Sequence, residues 1–280
     1  MDAVSSHRQE VESGARFSFG ENWSRFLAVL TEDRIQQAEL SLRKMLGVNS
    51  LVGKSFLDVG SGSGLFSLAA RRLGANVFSF DFDPKSVACT QELRRRYFDG
   101  DPNWIIQEGS VLDPSYLERL GKFDVVYSWG VLHHTGKMWD ALENVAPLVG
   151  DGGKLFIALY NDQGGASIRW KKLKKLYNSF RILRFPLSLY TLVRQWTVTV
   201  LRETSRGQFL KAWRTYRRER GMSPWHDIVD WIGGYPFEVC KPEEVFEFYK
   251  SRGFSLSALK TCGGGLGCNE FVFRRESIIP

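Results

Sequence analysis

The chain is short of the residues that build disulfide frameworks and metal centres. Its 280 residues include only four cysteines (Cys89, Cys240, Cys262, Cys268) and four histidines. No two cysteines are spaced CxxC and no HExxH occurs. This argues against a disulfide-stapled scaffold and against a zinc ribbon or zincin helix, so no metal is expected and the thiols read as reduced, in a cytoplasmic protein. The opening stretch MDAVSSHRQEVESGARF lacks an apolar core and does not read as a secretory signal. The longest apolar segment, 185–201, is 17 residues with Arg194 and Gln195 in its middle. A span needs about 20 residues and disfavours a central arginine, so no transmembrane helix is expected. Acidic residues are scarce in one place: Arg169 to Arg220 holds fifteen Lys/Arg and two Asp/Glu. That segment carries +13, which leaves −6 for the rest of a chain whose total is +7. Any charged partner therefore concerns this segment.

What is present is an ordinary globular composition, 43% hydrophobic and 25% charged. A chain of this length can bury roughly 75% of its unfolded surface. From residue 53 to 160 short apolar runs alternate with helical patterns. KSFLDVG (54–60), NVFSFD (76–81), NWIIQEG (103–109), FDVVYSW (123–129) and GKLFIALY (153–160) read as strands. LFSLAARRLG (65–74) and the stretch from Pro84 to about Tyr97 read as helices, with Pro84 suited to a first helical turn. This order predicts a doubly wound parallel sheet covered on both faces. ENWSRFLAVLTEDRIQQAELSLRKMLG (21–47) is a long helical pattern, one helix or two. Residues 165–221 are predominantly helical, 241–253 form a further helix, and FSLSALKTC and CNEFVFRR form an antiparallel strand pair joined through GGGLG.

The strongest chemical signal is LDVGSGSG (57–64), at the turn from the first strand into the first helix. Gly60, Gly62 and Gly64 let the backbone pass under a ligand with N–H groups facing it. The spacing is GxGxG with no following lysine, which excludes a Walker-type phosphate loop. Asp58 before the turn suits a cationic group better than a pyrophosphate. Asp81 closes the second strand, 23 residues after Asp58, where a carboxylate can accept hydrogen bonds from both hydroxyls of a ribose. EGSVLD (108–113) ends the third strand, offering Ser110 and Val111 to an adenine, with Asp113 opening the next helix.

DVGSGSG, FSFDFDP and GSVLD together resemble, in order and spacing, the cofactor motifs of the class I S-adenosylmethionine-dependent methyltransferases. The resemblance covers about residues 40–160 and again 240–275. It implies an α/β Rossmann-like fold with a seven-stranded, mostly parallel sheet, and S-adenosyl-L-methionine as cofactor. It places Asp58 and Gly60 at the methionine part, Gly62 and Gly64 beneath the cofactor, Asp81 and Phe82 at the ribose, and Ser110 and Val111 at the adenine. Many relatives carry aspartate where this chain has Ser110. VLHHTG and ALENVAPLVGDGGKLFIALYN look most like the small-molecule and quinone-type members.

WGVLHHTG (129–136) follows the fourth strand, beyond which this architecture binds ligands. Trp129 is expected beside the cofactor's sulfonium end, with His133 and His134 on a loop next to the methyl group. Relatives commonly keep one histidine matching His134, often after glutamate where His133 stands here. Two readings stay open: a base or substrate ligand, since histidine accepts protons near neutrality, or a residue that fixes the turn. Tyr160 and Asn161 at the end of the fifth strand, Trp23 in RFSFGENW (16–23), and Tyr235 in DWIGGYPFEVCKPEE (230–244) are candidate substrate contacts; packing explains each equally well.

The domain reading is an N-terminal helical extension or lid (1–50), an S-adenosylmethionine-binding domain (51–162 and 236–280), and a basic, aromatic helical insertion (163–235). The insertion reads as a cap over an acidic or lipid-like substrate, a plain helical subdomain, a membrane-surface helix, or an RNA face. The expected function is methyl transfer to a small-molecule or lipid-like acceptor, more at oxygen than at nitrogen or carbon. The competing expectations are a tRNA methyltransferase that uses the basic insertion, and a non-catalytic cofactor-binding regulatory protein.

Overall fold

The computed structural model describes residues 3–206, 208, 213 and 224–277. Seven strands form one sheet: β1 (Ser55–Val59), β2 (Asn76–Asp81), β3 (Trp104–Glu108), β4 (Phe123–Trp129), β5 (Val149–Tyr160), β6 (Phe254–Lys260) and β7 (Cys268–Arg275). Their order is β3-β2-β1-β4-β5-β7-β6. Strands β1 to β5 pair in parallel, while β7 runs antiparallel to both β5 and β6. The mostly parallel sheet and the terminal strand pair follow the sequence expectation. β5 is longer than GKLFIALY suggested, because pairing with β4 begins at Val149.

Strand alternation divides the core between the two faces. Phe56, Tyr127 and Phe156 point to one face, under α3 (Glu32–Leu46) and α4 (Leu65–Arg72). Leu57, Val126 and Ile157 point to the other, under α7 (Met138–Val145) and α11 (Pro242–Lys250). Both faces are covered, which is why the central strands are apolar without alternation. Sequence signals set the helix ends. Asp83 caps α5 (Pro84–Tyr97) by accepting the N–H of Lys85, and Asp113 caps α6 (Pro114–Glu118) by accepting that of Tyr116. The helical pattern at 21–47 resolves into α2 (Gly20–Leu27) and α3, and a helix the composition did not suggest, α1 (Ala3–Glu12), precedes them.

The insertion contributes α8 (Gly165–Ser179), α9 (Arg184–Ser205) and α10 (Pro224–Gly233). The expected helical stretch at 207, 209–212 and 214–223 lies outside the described residues. A third cluster, with Trp170, Tyr177, Ile232 and Phe237 at its centre, joins this insertion to the sheet domain. Among the described residues, no helix is long and apolar enough to cross a membrane.

Candidate active site

The strand order reverses between β1 and β4, and in a sheet of this kind the ligand crevice lies at that switch point, beyond the strands' C-terminal ends. The loops after β1 and β4 meet there. Gly60 has φ +79, and a Cβ on it would lie 2.3 Å from a Val131 methyl. Gly62 has φ +54, and a Cβ there would press on the Trp23 indole. Both positions need glycine for conformation and for space.

Asp81, at the end of β2, binds this loop. Its Oδ2 accepts the N–H of Gly62 at 2.8 Å and its Oδ1 accepts that of Asp83 at 2.9 Å. Burial raises its pKa to about 6, against the two backbone donors, which favour the anion. Each oxygen keeps a lone pair for a further donor. Asp58 behaves differently. It is 2% exposed, and its Oδ2 accepts the Ser67 hydroxyl at 2.5 Å; Ser67 meets Ser79, which accepts the Trp104 indole N–H. Burial pushes its pKa up to about 7, opposed by the Ser67 hydrogen bond. The expected carboxylate beside a ligand is instead a buried anchor between β1 and α4. The Ser110 hydroxyl accepts the N–H of Leu112, Val111 is buried, and Trp129 stands exposed at the crevice rim.

The adjacent histidines separate in role. They lie in a 3-10 turn, Leu132–His134. His133 is fully buried; its Nδ1 accepts the N–H of Tyr160 at 3.3 Å, and its Nε2 finds no partner among the described residues. Burial holds its pKa well below the usual imidazole value, helped by His134 and Lys174. His133 therefore packs beneath the site, against the expectation that either histidine reaches the acceptor. His134 is 8% exposed, and its Nδ1 lies 2.6 Å from the carbonyl oxygen of Pro236. A carbonyl only accepts, so Nδ1 carries the proton and Nε2 presents its lone pair. Burial lowers the His134 pKa to about 3 despite that hydrogen bond, with Lys174 and Arg16 adding to the effect.

Tyr160 packs on both imidazoles, with ring centroids 4.1 Å from His133 and 5.5 Å from His134, and on Phe237. Asn161 points elsewhere: its side chain bonds Asn269 and the carbonyl of Gly265, which ties β5 to the glycine-rich loop. The Tyr235 carbonyl receives the N–H of Phe17, joining the post-insertion loop to the N-terminal segment.

That segment packs on the histidine turn and on the end of β2. Phe19 lies 5.0 Å from the His134 ring. The N–H of Gly20 donates to Asp83 at 2.8 Å, and the His7 ring packs on Phe82. Arg16 is the central tie: its Nη1 donates to the carbonyl of His134 at 2.9 Å, its Nε to Glu10, and its guanidinium lies over the Phe82 ring. Sequence reasoning flagged the aromatic RFSFGENW but passed over Arg16, His7 and Asp83. No local pattern marks the contacts they make here, since each reaches across a long sequence separation. In the insertion, Lys174 is fully buried, and its ammonium donates to the carbonyl of Trp231 over the rings of Trp231 and Phe237.

Strand order and glycine cradle define a nucleotide-cofactor α/β domain, and the comparisons give its kind. Residues 57–155 match the family model described as a methyltransferase domain. The chain carries a class I S-adenosylmethionine-dependent methyltransferase domain. It is 31% identical over 132 residues to a tRNA U34 carboxymethyltransferase of Methylococcus capsulatus, covering 46% of this chain and 40% of that protein. It is 33% identical over 111 residues to a ubiquinone biosynthesis O-methyltransferase of Xanthomonas oryzae pv. oryzae, covering 40% and 45%. The chain thus spans less than half the length of these curated relatives. Magnesium protoporphyrin IX methyltransferase from Synechocystis PCC 6803 with bound SAM superposes with a TM-score of 0.56 at 12% identity, over 99% of this chain and 98% of that one. The N-methyltransferase NodS from Bradyrhizobium japonicum WM9 gives 0.50 at 14% identity, over 92% and 98%. At such identities these structures establish the fold.

Proposed function

We propose that the chain transfers a methyl group from S-adenosylmethionine to a small-molecule or lipid-like acceptor, at oxygen. The carrying observation is His134: its Nδ1–H is fixed on the Pro236 carbonyl, which leaves Nε2 unprotonated, in the turn that follows β4. Residues 51–162 and 236–280 form the cofactor domain, 1–50 its lid, and 163–235 the cap. The residues present suit the cofactor. Asp81 offers carboxylate lone pairs to ribose hydroxyls, Gly60, Gly62 and Gly64 give a backbone that a ligand can approach, and Phe82 and Val111 give apolar surface near the ribose and adenine. Ser110 supports its own turn, Asp58 supports the loop from below, and Trp129 flanks the methionine end.

When bound, S-adenosylmethionine supplies an electrophilic methyl on a sulfonium. The protein's part is alignment and proton handling. Neutral His134 accepts a hydrogen bond from the acceptor hydroxyl and so orients its lone pair. A pKa of about 3 makes this imidazole a weak base toward an alcohol. A freshly methylated oxonium is a far stronger acid than such an imidazolium, so His134 still takes the proton as the C–O bond forms. Tyr160 and Phe237 pack the adjoining wall.

Methyl-labelled S-adenosylmethionine incubated with a panel of phenols, quinols and lipid hydroxyls tests the proposal. Label transferred to an oxygen acceptor supports it; calorimetry that detects no cofactor binding overturns it. An RNA acceptor is the second reading, favoured by the basic insertion and by the relative that acts on tRNA. It requires tRNA binding that falls steeply with salt.

A further inference from the structure

Helix α9 leaves large apolar side chains in solvent. The side facing the protein carries Ser188 and Thr191, 1% and 0% exposed, beside Leu187, which packs on the Trp170 cluster; the Thr191 hydroxyl is turned back onto the carbonyl of Leu187. The side facing outward carries Phe185, Leu189 and Val193, which recur every fourth residue along one face and are 67%, 44% and 57% exposed; one side of the Phe185 ring also meets Trp225, centroids 5.9 Å apart. Ile182, in the short turn between α8 and α9, extends the same row and is 86% exposed. An amphipathic helix of a water-soluble domain normally has the opposite arrangement.

The charge around the row has one sign. Between Arg169 and Arg194 the sequence has no aspartate or glutamate. Lys171, Lys172, Lys175, Arg181, Arg184 and Arg194 are all exposed. The tip of the α8–α9 hairpin, Phe180-Arg-Ile-Leu-Arg-Phe185, alternates large apolar side chains with two guanidinium groups.

We infer that the α8–α9 hairpin is a docking surface for an anionic phospholipid bilayer. Phe180, Ile182 and Phe185 enter the boundary between headgroups and acyl chains. The surrounding Lys and Arg side chains lay their methylene stems on the apolar layer and hold their charges at the phosphates. Charge alone would suit a nucleic acid equally well. Exposed aliphatic side chains set among those charges favour lipid, because they gain from burial in acyl chains and offer nothing to a phosphodiester backbone. Helix α8 starts at Gly165, a few residues past the end of β5, so the hairpin is tethered directly to the sheet domain. The inference does not depend on methyl transfer and stands or falls on binding alone.

The test is co-sedimentation of the full chain with phosphatidylcholine vesicles and with phosphatidylcholine vesicles containing phosphatidylglycerol. Preferential pelleting with the anionic vesicles is expected. The double variant Ile182→Glu/Phe185→Glu should weaken this at least tenfold, roughly the contribution of two large apolar side chains, with melting temperature and S-adenosylmethionine affinity unchanged. Lys175→Gln/Arg181→Gln should weaken binding while leaving the residual apolar partition. Three results would overturn the proposal: protein that stays in the supernatant with both vesicle types, pelleting that the Ile182/Phe185 variant does not reduce, or a concentration-dependent dimer or tRNA complex abolished by that variant.

Discussion

His134 carries the sharpest prediction at the scale of single residues. It is neutral throughout the physiological range, because burial lowers its pKa to about 3 against the Pro236 hydrogen bond, which favours the charged form. Replacing it with alanine should lower turnover at least about 100-fold, the usual worth of proton-transfer help, while S-adenosylmethionine affinity stays within a few-fold. Initial-rate kinetics beside calorimetry separate the two, and unchanged turnover would remove His134 from the mechanism. The same pKa makes a second claim. Between about pH 5 and about pH 9, kcat should show no inflection of histidine origin, since this residue remains unprotonated there. An inflection near 6.5 that disappears in the alanine variant would show that the imidazole titrates in the complex.

At the scale of elements, the N-terminal segment and the β2 end are held by a few long-range polar contacts. Asp81→Ala removes the acceptor of the Gly62 N–H as well as the proposed ribose contact. It should weaken S-adenosylmethionine binding by at least tenfold, about 1.4 kcal/mol. Unaltered calorimetric affinity would refute the ribose assignment. Arg16→Ala should release α1 and α2 from the histidine turn by removing donors to His134 and Glu10. Charge-assisted bonds of this kind contribute about 1.5–3 kcal/mol in favourable settings. Faster proteolysis within residues 3–30, with the melting temperature of the sheet domain little changed, is the expected readout. Equal cleavage rates would mean that the aromatic packing of Phe17 and Phe19 holds the segment without it.

For the whole molecule, pH dependence of stability runs through Asp58. Its folded pKa, about 7, lies above the 3.8 of an ordinary aspartate. The raised value means the fold favours the protonated form. That contribution is fully present below about pH 3.8 and is lost as pH rises through about 7. Asp58→Asn should therefore gain stability relative to wild type as pH goes from 4 to 8, by up to a few kcal/mol. Thermal melts of both proteins across that range test it, and a difference in melting temperature constant with pH would refute it. His134 works in the opposite direction: its pKa is lowered from 6.5 to about 3, so its contribution is present above 6.5 and fades as pH falls toward 3.

The α/β class, the strand sequence, the glycine cradle and the helix starts at Pro84 and Asp113 were legible because they are local. Period, turn chemistry and capping act over a few residues, and parallel pairing follows from apolar runs alternating with helices. Side-chain direction was not legible. Asp58 turns to Ser67 in place of a ligand, His133 sinks beneath Tyr160 while its neighbour bonds Pro236, and Asn161 braces Asn269. Each outcome depends on a partner on another element: nine residues away for Asp58, 27 for His133 and 108 for Asn161. Arg16 reaches across 118 residues. The sequence by itself determined which backbone could be built and what family of ligand its loops resemble. Only the packing of distant elements decided which polar atoms, like Nδ1 of His134, were consumed in holding the fold.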